Sequence, residues 1–409
     1  MSSEDGGRGE GVRRFSAAMV EGEDPEAAVR QAIEQVRAEL GDGVTSFAML
    51  FLSAHHVFAE SATLRRLPGL VADGLRTEAV IGTVGSGLVG GDRELEGRAA
   101  VVVAAARLPE CRATLFHCNE AQRRAWSQDP GALSALGLSD SPRAPILLLA
   151  DPFSFDIDEL LTLLSRSAPR SPVIGGLASG PPAPGLSLLV AGRELEAQGC
   201  VGLQLEGDFD FEAVVSQGCK PIGRHVVVTG GRGNLITSLR GKPPRQVLSE
   251  LASSLSESDL ALLRRSLLIG RVVNERQDSF RRGDFLVRPV LRLSDDGLVI
   301  GDAVKVGQTV QFHVRDADTA REDLATLLAQ RDSPARVFGA LLFTCNGRGE
   351  ALFGRPNHDT ELIREALDSP PVAGFFCGGE IGPIGDRAWL HGFTSSLGLF
   401  TAPRPDAGA

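Results

Sequence analysis

Pro371, Val372, Ala373, Gly374, Phe375, Phe376, Cys377, Gly378, Gly379, Glu380 reads as a short buried strand closed by glycines, which let backbone approach another strand or a ligand closely. The same order occurs twice earlier. One copy runs Pro172, Val173, Ile174, Gly175, Gly176, Leu177, Ala178, Ser179, Gly180; the other runs Ala79, Val80, Ile81, Gly82, Thr83, Val84, Gly85, Ser86, Gly87. The flanks repeat too. A strand and then a helical stretch precede each copy: 46–53 and 61–75, 146–150 and 156–164, 338–345 and 359–367. A further strand follows each, introduced by Arg93-Glu94-Leu95-Glu96 before 99–106, by Arg193-Glu194-Leu195-Glu196 before 200–205, and by Gly385-Asp386-Arg387 before 389–400. Three β-α-β-β modules follow from this periodicity. A fainter fourth is read over strand 235–239, helix 244–265 and strands 267–273 and 284–293. The fold class expected is α/β, in two related halves built from these modules.

The chain has 409 residues and is 43% hydrophobic, enough for a sizeable core and about two domains. A net charge of −10 argues against a phosphate-backbone partner, so no nucleic acid is expected. Lysine stands only at 220, 242 and 305, and tyrosine is absent, which removes one general acid and one haem ligand type. The six cysteines (111, 118, 200, 219, 345, 377) have no CxxC spacing, as suits a reducing cytoplasm. No signal-peptide core and no membrane-length apolar run occurs, so a cytoplasmic protein without membrane partners is expected.

Along the chain, a tail over 1–14 gives way to a helix opened by Asp24 and Pro25 and stopped by Gly41. The polar segment 109–143 reads as an insertion or loose helical excursion. Asp156 and Glu159 start the second module's helix, and Thr319 with Glu322 forms a capping box ahead of the third. Short strands are expected at 298–300, 303–306 and 309–314. The Pro243-Pro244 pair divides the halves into 15–242 and 243–402, with a tail from 403 to 409.

Gly85, Gly87 and Gly90 spell GxGxxG, but a strand follows where a dinucleotide site needs a helix N-terminus. The richest polar cluster lies in module three. Cys345, Asn346 and Arg348 sit at a strand end, Asn357, His358 and Asp359 at a helix start, and Cys377 and Glu380 after the glycine-rich strand. Strand ends and helix starts of an open α/β sheet face one crevice, so these residues are expected to converge. Each also has a plain structural explanation: Asn357 and Asp359 as helix caps, Cys377 as packing, Arg348 as an ion-pair partner. Arg282, His313 and Arg315 form a second constellation suited to a carboxylate. A Cys345 or Cys377 nucleophile with His358 as base is the enzymatic alternative, but no protease-type signature accompanies it. No metal site is expected, because the Cys and His lack ligand spacing.

PVIGGLASG at 172–180, GCKPIG at 218–223, RRGDFLVR at 281–288, VGQTVQFHVRDADTAREDL at 306–324, GALLFTCNGRGEALFG at 339–354 and FFCGGEIGPIG at 375–385 closely resemble the FIST proteins, with a FIST-N region followed by FIST-C. The resemblance spans about 44–400. It implies a small-ligand-binding sensory module of signal transduction, with amino acids as the suggested ligands and no catalysis. One branch of the family resembles haem-binding nitric-oxide sensors, for which His55, His56, His313 or His358 would supply the ligand; otherwise no cofactor is expected. Another branch is joined to an F-box. With no kinase-like or F-box-like segment here, the resemblance implies a signal handed to a separate protein, such as a kinase.

Taken together, these readings place a zwitterion in module three, its carboxylate on the Arg348 fork and its ammonium on Glu380 or Asp359. Removing Arg348 is then expected to weaken binding while leaving the stability of the free protein nearly unchanged.

Overall fold

The computed structural model describes residues 13–403 apart from 130, 132–135, 278 and 332. Most of the expected tails, 1–12 and 404–409, lies outside the described residues, while Arg14 already opens the first strand.

The α/β class holds, with parallel strand pairs and two halves. Three repeats build it. The first comprises β1 (Arg14–Glu21), α1 (Pro25–Leu40), β2 (Phe47–Ser53), α2 (Ser61–Leu75), β3 (Val80–Gly85), the hairpin β4 (Gly87–Gly91) and β5 (Arg93–Glu96), and β6 (Ala100–Arg107). The second runs through β7 (Arg112–Cys118), α3 (Glu120–Gln128), β8 (Ile146–Ala150), α4 (Ile157–Ser167), β9 (Val173–Leu177), the hairpin β10 (Leu189–Ala191) and β11 (Glu194–Glu196), and β12 (Cys200–Glu206).

The third begins with β13 (Asp210–Gln217) and is interrupted by a closed barrel. Its strands are β14 (Cys219–Arg232), β15 (Leu235–Leu239), β16 (Leu268–Val272), β17 (Phe285–Ser294), β18 (Gly297–Ile300) and β19 (Thr309–Arg315), with α5 (Pro244–Ala252) and α6 (Glu257–Arg265) between β15 and β16. The repeat resumes with α7 (Ala317–Ala329), β20 (Val337–Cys345), α8 (Gly349–Phe353), α9 (His358–Ala366), β21 (Val372–Cys377), the hairpin β22 (Glu380–Ile384) and β23 (Arg387–His391), and β24 (Thr394–Thr401). The expected division at 242/243 falls inside the barrel, between β15 and α5.

The sheet orders show how the repeats are joined. They are β1-β6-β2-β3-β10-β11, β7-β12-β8-β9-β22-β23 and β13-β24-β20-β21-β4-β5. Each repeat therefore gives its hairpin to a neighbour's sheet: the second to the first, the third to the second, the first to the third. The inner faces share one core in which Phe47, Leu147, Phe343 and Phe400 meet, and the outer faces are covered by the helices.

The three quoted stretches occupy equivalent places. Gly82 pairs in parallel with Leu50, Gly175 with Leu148 and Gly374 with Leu342. A Cβ on these glycines would stand 1.9, 1.8 and 1.8 Å from the carbonyl oxygens of those leucines, so no other residue fits. Where the three strands end, Ser179 N–H donates to Val84 O at 3.2 Å and Gly378 N–H to Leu177 O at 3.0 Å. The third link runs through the Ser179 hydroxyl, which accepts from Ser86 N at 2.8 Å and donates to Phe376 O.

Several local expectations need correction. The segment 109–143 holds β7 and α3; β7 is an edge strand paired only with β12, and its mixed burial hides the alternation. The expected fourth module has its strands, and its expected single helix over 244–265 is split into α5 and α6, but β15 and β16 pair antiparallel on both sides within the barrel, so no parallel module forms. The strand expected over 389–400 is split into β23 and β24 at Gly392 and Phe393, the latter at φ 65°. No strand forms over 303–306, where Val304 N–H bonds Gly233 O instead. The third repeat's first helix is capped by Asp316, whose Oδ2 accepts from Thr319 N at 3.2 Å, so Thr319 lies inside it. Among the described residues no helix is long and apolar enough to cross a membrane.

Candidate ligand site

β20 ends at Cys345, directly beside Cys377 at the end of β21 in the parallel register. The chain then turns through 346–357 before α9 begins. Arg348 points inward from this loop. Its Nε and Nη2 donate to Asp359 Oδ2 and Oδ1 at 2.8 and 2.9 Å, and the two side chains are 0% and 2% exposed. Asp359 Oδ2 also accepts from Ser395 Oγ at 2.8 Å and Thr344 Oγ1 at 3.2 Å. His358 Nδ1 lies 3.0 Å from Asp359 Oδ1, which assigns the proton to Nδ1 because an ionised carboxylate only accepts. The Phe353 ring stacks on His358 at 3.5 Å and lies under the Arg348 guanidinium at 5.2 Å.

The donated hairpin completes the cluster. Glu94 Oε1 accepts from Thr360 N at 2.7 Å, Glu94 N donates to Asn357 Oδ1 at 2.8 Å, and Glu96 Oε1 accepts from Glu350 N at 2.8 Å. Asn357, at φ 61°, does not cap α9 with its own side chain; Glu94, some 260 residues away in sequence, takes an open N–H of that helix's first turn. Glu380 Oε2 accepts from Thr394 N and Oγ1 at 3.1 and 2.8 Å. Arg348 Nη1, His358 Nε2 and Glu380 Oε1 are buried without a hydrogen-bond partner.

Electrostatics follow from this burial. Burial raises the Glu94 carboxyl to about 7, with help from the Asp359 charge, and burial raises Glu380 to about 7 as well. Burial also opposes ionisation of Asp359, yet the Arg348 charge and the hydrogen bonds from His358 and Arg348 hold it below the usual carboxylate range. The Cys345 thiol is pushed up to about 12 by burial, and Cys377 well above its ordinary value by the same cause. Cys345 is hydrogen-bonded with Gly347 N and the Asn346 side chain, and Cys377 with Phe375 O; neither thiol is hydrogen-bonded to His358. Burial thus disfavours the thiolate at both positions, and neither thiol is paired with an imidazole.

Of the residues singled out in the sequence, Cys345, Arg348, His358, Asp359, Cys377 and Glu380 come together as buried groups, with Asn346 and Asn357 on the covering loop. The expected role of Arg348 changes, however: Asp359 already fills its fork and spends its own oxygens doing so. Arg315 joins the site from the barrel, donating to Gly347 O and lying over the Phe393 ring at 5.5 Å. Arg282 pairs instead with Asp323 at 3.5 Å. His313 is buried against Phe285, with Nδ1 3.0 Å from Gln311 O, and burial lowers it to about 4.

Outside the loop lies a cleft of about 330 Å³ between barrel and third repeat, with Arg265, Ser266, Arg315, Asp316, Ala351 and Leu352 in its wall. It is the open face of the site. Arg265, Thr344, Ser395, Glu94 and Glu96 were missed in the sequence. Only the Arg-Glu-Leu-Glu echo pointed to the last two, and it carries no sign of which sheet receives the hairpin. Of the four histidines named for haem, His56, His313 and His358 are buried and His55 is exposed.

Comparison with known proteins supplies the family. The FIST N domain matches residues 46–242 and the FIST C domain residues 245–383. An uncharacterized protein of Mycobacterium tuberculosis is 38% identical over 382 residues, covering 92% of this chain and 97% of the relative. An uncharacterized protein of Mycobacterium bovis is also 38% identical over 382 residues, covering 92% and 96%. An F-box/LRR-repeat protein of Arabidopsis thaliana is 33% identical over 93 residues, 21% of this chain and 18% of that protein. FIST domains are sensory domains of signal transduction proteins, and this chain, matched by both of them over most of its length, belongs to the FIST family.

Proposed function

We propose that the protein is a sensor for a small zwitterionic metabolite, bound in the cleft between the barrel and the third repeat. One observation carries this reading: Arg265, Arg315 and Asp316 share the wall of a cleft of about 330 Å³, a volume suited to a metabolite. Two guanidinia and one carboxylate complement a ligand with two carboxylates and one ammonium, as in an acidic amino acid. The buried cluster stands directly behind. Arg315 bonds the loop that carries Arg348, so a ligand that draws Arg315 outward releases Gly347 O and loosens that loop. The hairpin residues Glu94 and Glu96 hold the same loop near both ends, which gives the change a route into the first repeat's sheet.

The output in this reading is a separate signalling protein, such as a kinase, in the cytoplasm. The six cysteines are all free thiols, in accord with a reducing compartment. The test is a thermal-shift panel of amino acids and dicarboxylates on the full chain, followed by calorimetry of L-glutamate against wild type, Arg315→Ala and Arg265→Ala. Each substitution is expected to weaken L-glutamate binding about tenfold or more. Binding that is indifferent to both substitutions, or a panel without any shift, contradicts the reading.

A further inference from the structure

The first repeat contains the counterpart of the third repeat's cradle, and it is open. In the third, β5 lies against α8 and α9; in the first, β11 lies against α2 in the same relation. Glu96 and Glu196 close the matching Arg-Glu-Leu-Glu segments. Glu96 is satisfied by the protein itself, through Glu350 N on the long loop 346–357. The first repeat joins β2 to α2 with only 54–60, a single 3-10 turn over Ala54–Phe58, and no N–H of that turn bonds the Glu196 side chain as Glu350 N bonds Glu96. What remains there is a pocket of about 210 Å³ walled by Val57, Leu64, Leu188 and Leu195, with Arg65 and Glu196 in the same wall. Among the described residues neither Arg65 nor Glu196 has an ion pair or hydrogen bond from its side chain, and they do not pair with each other.

We infer that this pocket is a second binding site, for a small aliphatic zwitterion whose carboxylate meets Arg65, whose ammonium meets Glu196 and whose hydrocarbon part lies among the leucines. The ammonium then takes the place that the Glu350 N–H holds in the third repeat. The two unpaired opposite charges supply orientation, and the aliphatic wall selects against the acidic ligand suited to the other cleft. This site does not depend on the reading of the barrel cleft.

The test uses L-leucine, L-isoleucine and L-norvaline as probes, titrated calorimetrically into the full chain, with leucinamide and 4-methylpentanoate as probes lacking one charge. At least one of the three amino acids is expected to bind at millimolar concentration or below, and Arg65→Ala and Glu196→Gln each to weaken it about tenfold or more. Leucinamide should be insensitive to Arg65→Ala, and 4-methylpentanoate insensitive to Glu196→Gln. Arg315→Ala should leave all these affinities unchanged. Binding unaffected by either pocket substitution, binding weakened by Arg315→Ala alone, or no binding of any of the three amino acids overturns the inference. Arg65 is exposed and Glu196 half-buried and unpaired, so the variants are expected to melt with wild type and a binding loss is read directly.

Discussion

The cradles of the first and third repeats are walled by corresponding elements and differ in what fills them. In the third, a long loop returns Arg348, Phe353 and His358 into the space and closes it with the ion pair to Asp359. In the first, a short loop leaves about 210 Å³ and two unpaired charges. One architecture thus gives a buried, ion-paired cluster in one place and an open pocket in another. The difference arises from loop length and two or three side chains, not from the sheets.

The sharpest way to break this equivalence is at the shared glycine. Gly374→Val places a branched side chain against Leu342 O, where even a Cβ stands at 1.8 Å; the expected loss is several kcal/mol, enough to abolish cooperative unfolding in denaturant titrations. Gly82→Val should fail in the same way, and tolerance at either position would sever the two repeats.

Next in size is Arg348→Ala, which leaves Asp359 buried without its cation. The expected cost is about 3–5 kcal/mol, read as a lowered denaturation midpoint. A double variant, Arg348→Met with Asp359→Leu, should recover most of it. If Arg348→Ala melts like wild type, the cluster is not the structural element that its geometry implies.

The third test uses pH. Glu94 and Glu380 have folded pKa values of about 7 against 4.5 for the free side chain, so the native state holds more protons in that window. Stability should therefore be full below about pH 4.5 and fall as pH rises towards about 7, by up to about 1.4 kcal/mol per pH unit for each group. Glu94→Gln keeps an oxygen for Thr360 N and should flatten the slope by one group's share; an unchanged slope would show that Glu94 is not held protonated. The smallest stability effect is expected at Arg315→Ala, about 1 kcal/mol, because half-buried Arg315 gives up one hydrogen bond to Gly347 O but has no charged partner within salt-bridge distance among the described residues.

The repeats were legible because each glycine is demanded by a carbonyl of the neighbouring strand, and such a demand leaves its mark on the sequence. Asp24 and Asp156 were legible as caps because capping is local. The hairpin exchange was not. A strand pair carries the same alternation whichever sheet receives it, so the arrival of Glu94 at α9 leaves no local signal. Six of the named site residues converge because strand ends and helix starts share a crevice, whereas Arg348 was given an open fork because spacing does not reveal that Asp359, eleven residues on, turns to meet it. The barrel imitated a fourth module since its strands and helices follow in the expected order, and only pairing distinguishes the two.

The account rests on a ligand occupying the cleft beside the filled cradle, and amide hydrogen exchange measured by mass spectrometry on the full chain tests this most directly. With saturating L-glutamate, the predicted result is a change in exchange confined to peptides covering 262–266, 315–317 and 347–353, with 54–65 unaffected. A change confined to 54–65, or none in any of these segments, would contradict it.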